Sequence, residues 1–414
     1  MISKNLVSSR WRVVAPAVAA GAALGRRIGV AAQDGEQRPL EPAGTPVART
    51  EGAPGSDPLL SLLSLVPVSV TDAVDDSQLI SFADIAAQLV AGGITPPSSV
   101  EDEEGMRPWI HASYPLMIAE PLRRMAVRFT RDLIGFDVTD LDQTLEAGLP
   151  PGMITLLRGR FDQAAVRAAW ELNGYRMLEV DGLPVASLFE DAELDLENEI
   201  GRMALSRMNN AAFLPDGTLV YAATLSLLES VIGTVGSVGS ALGQRKDVTT
   251  LLASLESPLA SAMLVGGASF SYAAHEPLNP QLDEEQISEI TEQMETPVPP
   301  IALGLVGVTP GGPTVIYEEG EEPVITMPPA TIAYRLLMAE TDTAETAAEV
   351  VEARLGSMRS MRTNQPWSEL FGSWDARAVA DGDVLALDLT PAAGHPVSIW
   401  PQMLFARDLL FLAW

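Results

Sequence analysis

Five acidic residues alternate along the chain at Asp191, Glu193, Asp195, Glu197 and Glu199. Carboxylates at every second position can converge on a hard cation such as calcium, which is held by several oxygen ligands. As an EF-hand loop counted from Asp191, however, the segment has Leu196 where the sharp turn requires Gly and Arg202 where the bidentate Glu belongs. Asp191, Glu193 and Asp195 are the metal candidates the sequence offers. The better expectation is that Asp195 caps a helix with the face Leu196, Ile200, Met203 and Ala204. Acids then fall near its positive N-terminus, and Arg202 and Arg207 near its end.

Other chemistry is harder to assemble. Gly233, Gly236, Gly239 and Gly243 match neither the dinucleotide fingerprint nor a phosphate loop, because Gln244-Arg245-Lys246 lacks the Gly-Lys-Ser/Thr order. They read as a loose connector. Gly-x-Ser-x-Gly is absent, so no nucleophile elbow is expected. The three histidines are His111, His275 and His395; Pro277 follows His275-Glu276 and forbids a metalloprotease helix there. Acids are plentiful enough for a carboxylate pair, but the sequence singles out none. Cysteine is absent, which removes disulfides, thiolate catalysis and Cys-ligated metal. Lys4 and Lys246 are the only lysines. No catalytic set and no cofactor site is therefore expected. Trp109, Tyr114, Trp367, Phe371, Trp374 and Trp400 fall in loop-like or edge regions, and are expected to pack joints in the fold rather than line a groove.

Charge constrains the partners. Lys+Arg 26 against Asp+Glu 55 gives a net charge of −29, which repels phosphate backbones and anionic lipid at long range. Nucleic acid is not expected as a partner; a protein or a small molecule is. Residues 1–32 place Lys4, Arg10 and Arg12 before an apolar run, Val13 to Gly25, and the small residues Val30-Ala31-Ala32 before Gln33. That order is the pattern of an export signal, although Arg26 and Arg27 interrupt it. The run is too short for a comfortable membrane span, and later apolar stretches are broken by charge, Gly or Pro. Residues 33–58, rich in Pro, Gly, Ala, Thr and charge without a period, read as a flexible tether.

The elements that would position any site begin at Leu59. Ile154 to Arg160 is β-prone and ends at Phe161-Asp162, where Asp162 can cap a helix bearing Ala165, Val166, Ala169 and Trp170 on one stripe. Asn173-Gly174 stops that helix. Alternating runs then flank Asp181-Gly182, a strong hairpin signal. Leu79 to Phe82 reads as a strand leading into a helix over Asp84 to Val90. Helices are expected over Pro121 to Phe136, Leu141 to Ala147, Leu225 to Ile232 and Val248 to Leu255. A hairpin is expected at Asp216-Gly217, strands at Leu219 to Ala222 and Ala260 to Val265, and a Pro-rich boundary at the end of Gln281 to Pro300. The plan of the first stretch recurs late in the chain: a strand over Ile332 to Met338, an Asp342-capped helix with the stripe Ala347, Val350, Val351, Leu355 and Met358, and alternating runs around Asp381-Gly382. The final Met403 to Trp414 reads as a closing strand. These patterns predict an α+β fold with two lobes, 59–256 and 257–414, each a mainly antiparallel sheet with helices on one face, as diverged copies of a strand-helix-hairpin unit.

The segment GFDVTDLDQTLEAGLPPGMITLLRGRFDQAAVRAAW, Gly135 to Trp170, resembles a pattern of uncharacterised exported proteins of high-GC bacteria. The resemblance implies an extracytoplasmic setting, secreted or in the cell envelope, and assigns no catalytic residue. The functional expectation is a non-enzymatic extracytoplasmic protein offering a binding or structural surface. Its alternative is a small-molecule-binding protein or carboxylate-dependent hydrolase with a cleft between the lobes.

Overall fold

A computed structural model describes residues 57–72, 79–125, 130–149, 152–191, 193–271, 294, 296–312, 329–393, 395 and 397–414. The expected export signal, all but the end of the expected tether, and His275 lie outside these residues. The strands are β1 (Leu79–Asp84), β2 (Leu141–Ala147), β3 (Ile154–Gly159), β4 (Arg176–Val180), β5 (Leu183–Ser187), β6 (Asn210–Phe213), β7 (Leu219–Ala222), β8 (Ser261–Gly266), β9 (Ile301–Val308), β10 (Ile332–Met338), β11 (Phe371–Val379) and β12 (Val384–Pro391). The helices are α1 (Pro58–Leu63), α2 (Ser69–Asp72), α3 (Ile85–Ala91), α4 (Glu103–Ser113), α5 (Glu120–Met125), α6 (Thr130–Ile134), α7 (Gln163–Leu172), α8 (Glu199–Ala204), α9 (Leu225–Thr234), α10 (Lys246–Ala253), α11 (Ala344–Ser357), α12 (Trp367–Leu370) and α13 (Ile399–Phe405).

The class is α+β, with an antiparallel sheet in the order β11-β12-β10-β9-β8-β1-β2-β3-β7-β6-β5-β4. β8, just past residue 257, pairs with β1 on one side and β9 on the other, so one sheet runs through both halves of the chain. Alternation along each strand sends neighbours to opposite faces. On one face Ala83, Leu157 and Tyr221 meet α3, α4, α7 and α8. Further along that face, Tyr334, Leu336 and Leu387 meet α11, α12 and α13. The other face is covered as well: Phe82, Leu156 and Val220 pack with α1, α9 and α10.

Local signals placed many of these elements. Asp162 accepts from the amides of Ala164 and Ala165 at 2.9 and 3.2 Å, and α7 buries Val166, Ala169 and Trp170. The β4–β5 turn puts both Asp181 (φ 49°) and Gly182 (φ 79°) in the left-handed region that a two-residue hairpin matching strand twist requires. The β10, α11, β11–β12 unit follows the plan of β3, α7, β4–β5, with different pairing. β12 hydrogen-bonds directly to β10, whereas β7 and β6 come between β3 and β5.

Four local expectations are corrected. Leu141 to Ala147 is strand β2, not a helix: Leu141 and Leu145 suit helical spacing, but the segment lies between β1 and β3 and takes ladder bonds from both. Met403 to Trp414 is not a strand. It finishes α13 and turns through a 3-10 segment, Leu410–Leu412, whose apolar residues fill the core under α11. Asn198, not Asp195, caps α8, accepting from the Gly201 amide at 3.1 Å, and Leu196 lies outside the helix, exposed. Asp342 does not cap α11; it sits at φ 58° in the preceding turn, and Thr343 holds the cap position.

Candidate functional site

The second face of the sheet loses its helical cover beyond α10. There the outward positions of β10, β12 and β11 carry charge instead of aliphatic groups: Arg335, Asp388, Asp375 and Arg377. Together with the Leu255–Ser257 turn they border a cavity of about 380 Å³. Arg335 and Asp388 are diagonal neighbours, since Ala333 pairs with Asp388 and Arg335 with Ala386. Diagonal positions are within reach of a long side chain. The Arg335 guanidinium donates to both Asp388 oxygens, at 2.8 and 3.1 Å, and also to the Tyr334 carbonyl at 2.9 Å. Its Nε donates at 3.0 Å to the carbonyl of Ser254, the C-cap of α10, where an arginine meets the negative end of the helix dipole.

Arg377 completes the network. It donates at 3.1 Å to the Asp388 oxygen that Arg335 also holds, at 2.6 Å to Glu256, and to Asp375. Asp375 is the direct cross-strand partner of Asp388, and Arg377 bridges these two like charges. Burial alone would lower the pKa of Arg377. The hydrogen bond to Asp388 and the charges of Asp388, Asp375 and Glu256 outweigh that effect and hold it above the usual arginine value. The two arginines differ in setting: the Arg335 side chain is 2% exposed, whereas Glu256 and Asp375, which engage Arg377, are 73% and 65% exposed. Arg335–Asp388 is thus a fixed base, and Arg377 holds partners that water already competes for.

The metal candidates are not brought together. Asp191 accepts from the Leu225 amide at 2.6 Å, Glu193 from the Glu190 amide at 3.2 Å, and Asp195 from the Glu197 amide at 2.8 Å. Each carboxylate serves a different stretch of backbone. Among the described residues no group of three or more His, Asp or Glu side chains is arranged to hold a metal ion. His111 lies in the last turn of α4 and His395 in the loop after β12. Of the aromatics, Trp109, Trp367, Phe371 and Trp400 are buried; Trp367 stacks on Phe371 with centroids 5.8 Å apart, and Trp400 donates to the Pro115 carbonyl at 3.2 Å, joining α13 to the segment after α4. Tyr114 is exposed. A second pair of acids, Glu120 and Glu146, converges on Arg207 at 2.8 and 3.5 Å, and the Glu120 amide donates to Glu146 at 2.7 Å. That cluster ties α5 and the segment after α8 to β2.

The groove residues were not among the sequence candidates. A signal for them exists: Arg335 is the one charge within Ile332 to Met338, and Asp388 the one charge within Val384 to Pro391. Opposite single charges in two otherwise apolar strands must either face water or meet each other.

No family model matches the chain, and no curated protein matches it. Among solved structures, crystal form III of TP0453 aligns at 8% identity and a TM-score of 0.35, covering 81% of this chain and 97% of that one. Crystal form I of TP0453 aligns at 8% identity and a TM-score of 0.34, covering 83% and 97%. Superpositions that loose do not establish a shared fold. Among the described residues no helix is long and apolar enough to cross a membrane.

Proposed function

We propose that the chain is a non-enzymatic extracytoplasmic binding protein whose binding surface is the polar groove beside β10, β12 and β11. The observation that carries the binding role is the contrast within the groove. A buried, bidentate Arg335–Asp388 pair fixes the geometry, and Arg377 above it is held by largely exposed carboxylates that a ligand can displace. Its volume of about 380 Å³ suits a small molecule. The extracytoplasmic setting is supported by the positive, apolar, small order of residues 1–32.

Asp375 and Asp388 are the acids that a carboxylate-dependent hydrolase would use in this groove. Such an enzyme needs one acid placed to protonate a leaving group and the other facing the reacting carbon or a water. Here Asp388 has both oxygens on guanidinium groups and Asp375 shares Arg377, an arrangement that favours holding a ligand over cutting one. The test is expression of the full chain with fractionation, N-terminal sequencing and native mass spectrometry. The expected result is export, and a small molecule that co-purifies with the wild type and is lost from Arg377→Ala. An intact N-terminus retained in the cytoplasm overturns the location, and equal ligand occupancy in the two proteins, or none in either, overturns the binding role.

A further inference from the structure

We infer that the groove takes a small zwitterion of the α-amino acid type, its anionic group on Arg377 and its cationic group on Asp375 and Glu256. This rests on the groove being the binding site. Charge inside the cavity divides into two sets. Arg335 and Asp388 neutralise each other through two hydrogen bonds and form the floor. The remainder is one guanidinium, Arg377, against the two exposed carboxylates of Asp375 and Glu256.

A ligand carrying only an anion either adds a third free carboxylate-like charge beside Asp375 and Glu256 or displaces them from Arg377 and leaves them without that partner, and it approaches a chain of net charge −29 against long-range repulsion. A ligand carrying only a cation would have to compete with Arg377 for the same acids. A molecule with both charges remakes on binding each ion pair that it breaks. Spacing narrows the class further. Arg377 touches Glu256 at 2.6 Å and is in direct contact with Asp375, so the groups to be re-paired adjoin one another. The ligand must therefore hold its own opposite charges equally close, as an α-amino acid does and a long ω-amino acid does not. The Asp388 oxygen that already contacts Arg377 at 3.1 Å fixes the direction in which that guanidinium presents its remaining donors.

The test is calorimetric titration of the purified full chain, stripped of co-purifying ligand by reversible denaturation, with each common L-amino acid. Sodium acetate, methylammonium chloride and 6-aminohexanoate serve as controls. Saturable binding of at least one amino acid is expected, with none of the controls saturating. Arg377→Ala and Asp375→Asn should each weaken that binding about tenfold or more while melting within a few degrees of the wild type. Saturation by acetate alone, lost in Arg377→Ala, overturns the zwitterion and leaves the groove as a binding site. Binding of an amino acid unaffected by either substitution places it elsewhere and overturns the inference. No saturation by any probe overturns it too, and if native mass spectrometry also finds no ligand, the binding role falls with it.

Discussion

Arg335 and Asp388 meet diagonally across β10 and β12, with both guanidinium amino groups on the two carboxylate oxygens at 2.8 and 3.1 Å. The contact depends on a strand register that pairs Ala333 with Asp388, because a slip of one residue would turn Arg335 to the opposite face, into the cluster around Tyr334 and Leu336. The pair therefore both anchors the groove and reports the register of the sheet at that point.

Arg335→Ala is expected to destabilise the chain by about 2 kcal/mol, since it leaves the largely buried Asp388 carboxylate with Arg377 as its one remaining guanidinium and takes the donor from the Ser254 carbonyl. Arg377→Ala should cost no more than about 1 kcal/mol, because its other partners, Glu256 and Asp375, are mostly in water. Urea unfolding of the two variants checks the ordering. Equal losses would mean that Arg335 is not the buried anchor.

Asp84 makes stability depend on pH in an unusual direction for a carboxylate. Burial pushes its pKa up to about 6, against hydrogen bonds from the Ala87 amide at 2.9 Å and from Gln143 at 3.2 Å. A group whose folded pKa is raised contributes fully below the unfolded value of about 4, and the contribution is lost as pH rises through 6. At neutral pH the ionised Asp84 thus costs about 3 kcal/mol, the shift converted at about 1.4 kcal/mol per unit. Asp84→Asn keeps an oxygen for the α3 cap and removes that charge. It should be about 2 kcal/mol more stable than the wild type near pH 8, with the advantage vanishing below about pH 4. Unfolding curves for both proteins across that range show it, and a pH-independent difference would contradict it.

Signals confined to a few neighbouring residues were legible in the sequence. Asp181-Gly182, Asp216-Gly217 and Asp381-Gly382 all turn hairpins, and Asp162 caps the expected helix. What failed was set by partners far along the chain. Leu141 to Ala147 carries apolar residues four apart, yet β1 and β3 on its two sides impose a strand, and its polar Thr144 and Glu146 accept from the amides of Ala119 and Glu120. Met403 to Trp414 is apolar enough for a buried strand, but composition reports burial and not period. The groove was invisible for the same reason. Arg335, Arg377 and Asp388 become neighbours only through the pairing of β10, β12 and β11, whereas Asp191, Glu193 and Asp195, at alternate positions of one short segment, serve separate pieces of backbone.

The same substitution should change sign with backbone conformation. At Gly182 (φ 79°) an added Cβ meets nothing within 4 Å, so Gly182→Ala costs backbone strain alone, about 1 kcal/mol. Gly233, inside α9, also has nothing within 4 Å and lies outside the left-handed region, so Gly233→Ala should stabilise by about 0.5–1 kcal/mol through helix propensity. Thermal melts of the two variants should move in opposite directions. A common direction would refute the turn geometry at Asp181-Gly182.

Arg354 is a buried cation whose hydrogen bonds go to backbone carbonyls: Ala413 and Thr296, each at 2.7 Å, and Leu410 at 3.3 Å. Burial lowers its pKa to about 10, which still leaves it charged at neutral pH. It therefore clamps the C-terminal turn and the segment ahead of β9 onto α11. Arg354→Met keeps the apolar stem and leaves those carbonyls unpaired in a low-dielectric setting, at an expected cost of about 3 kcal/mol. Arg354→Lys retains a charge but not the planar fork that reaches several acceptors at once, and should recover only about half of that loss. Urea midpoints ordered wild type, Lys, Met would support the clamp. A methionine variant as stable as the wild type would show instead that water already satisfies the carbonyls of Thr296, Leu410 and Ala413.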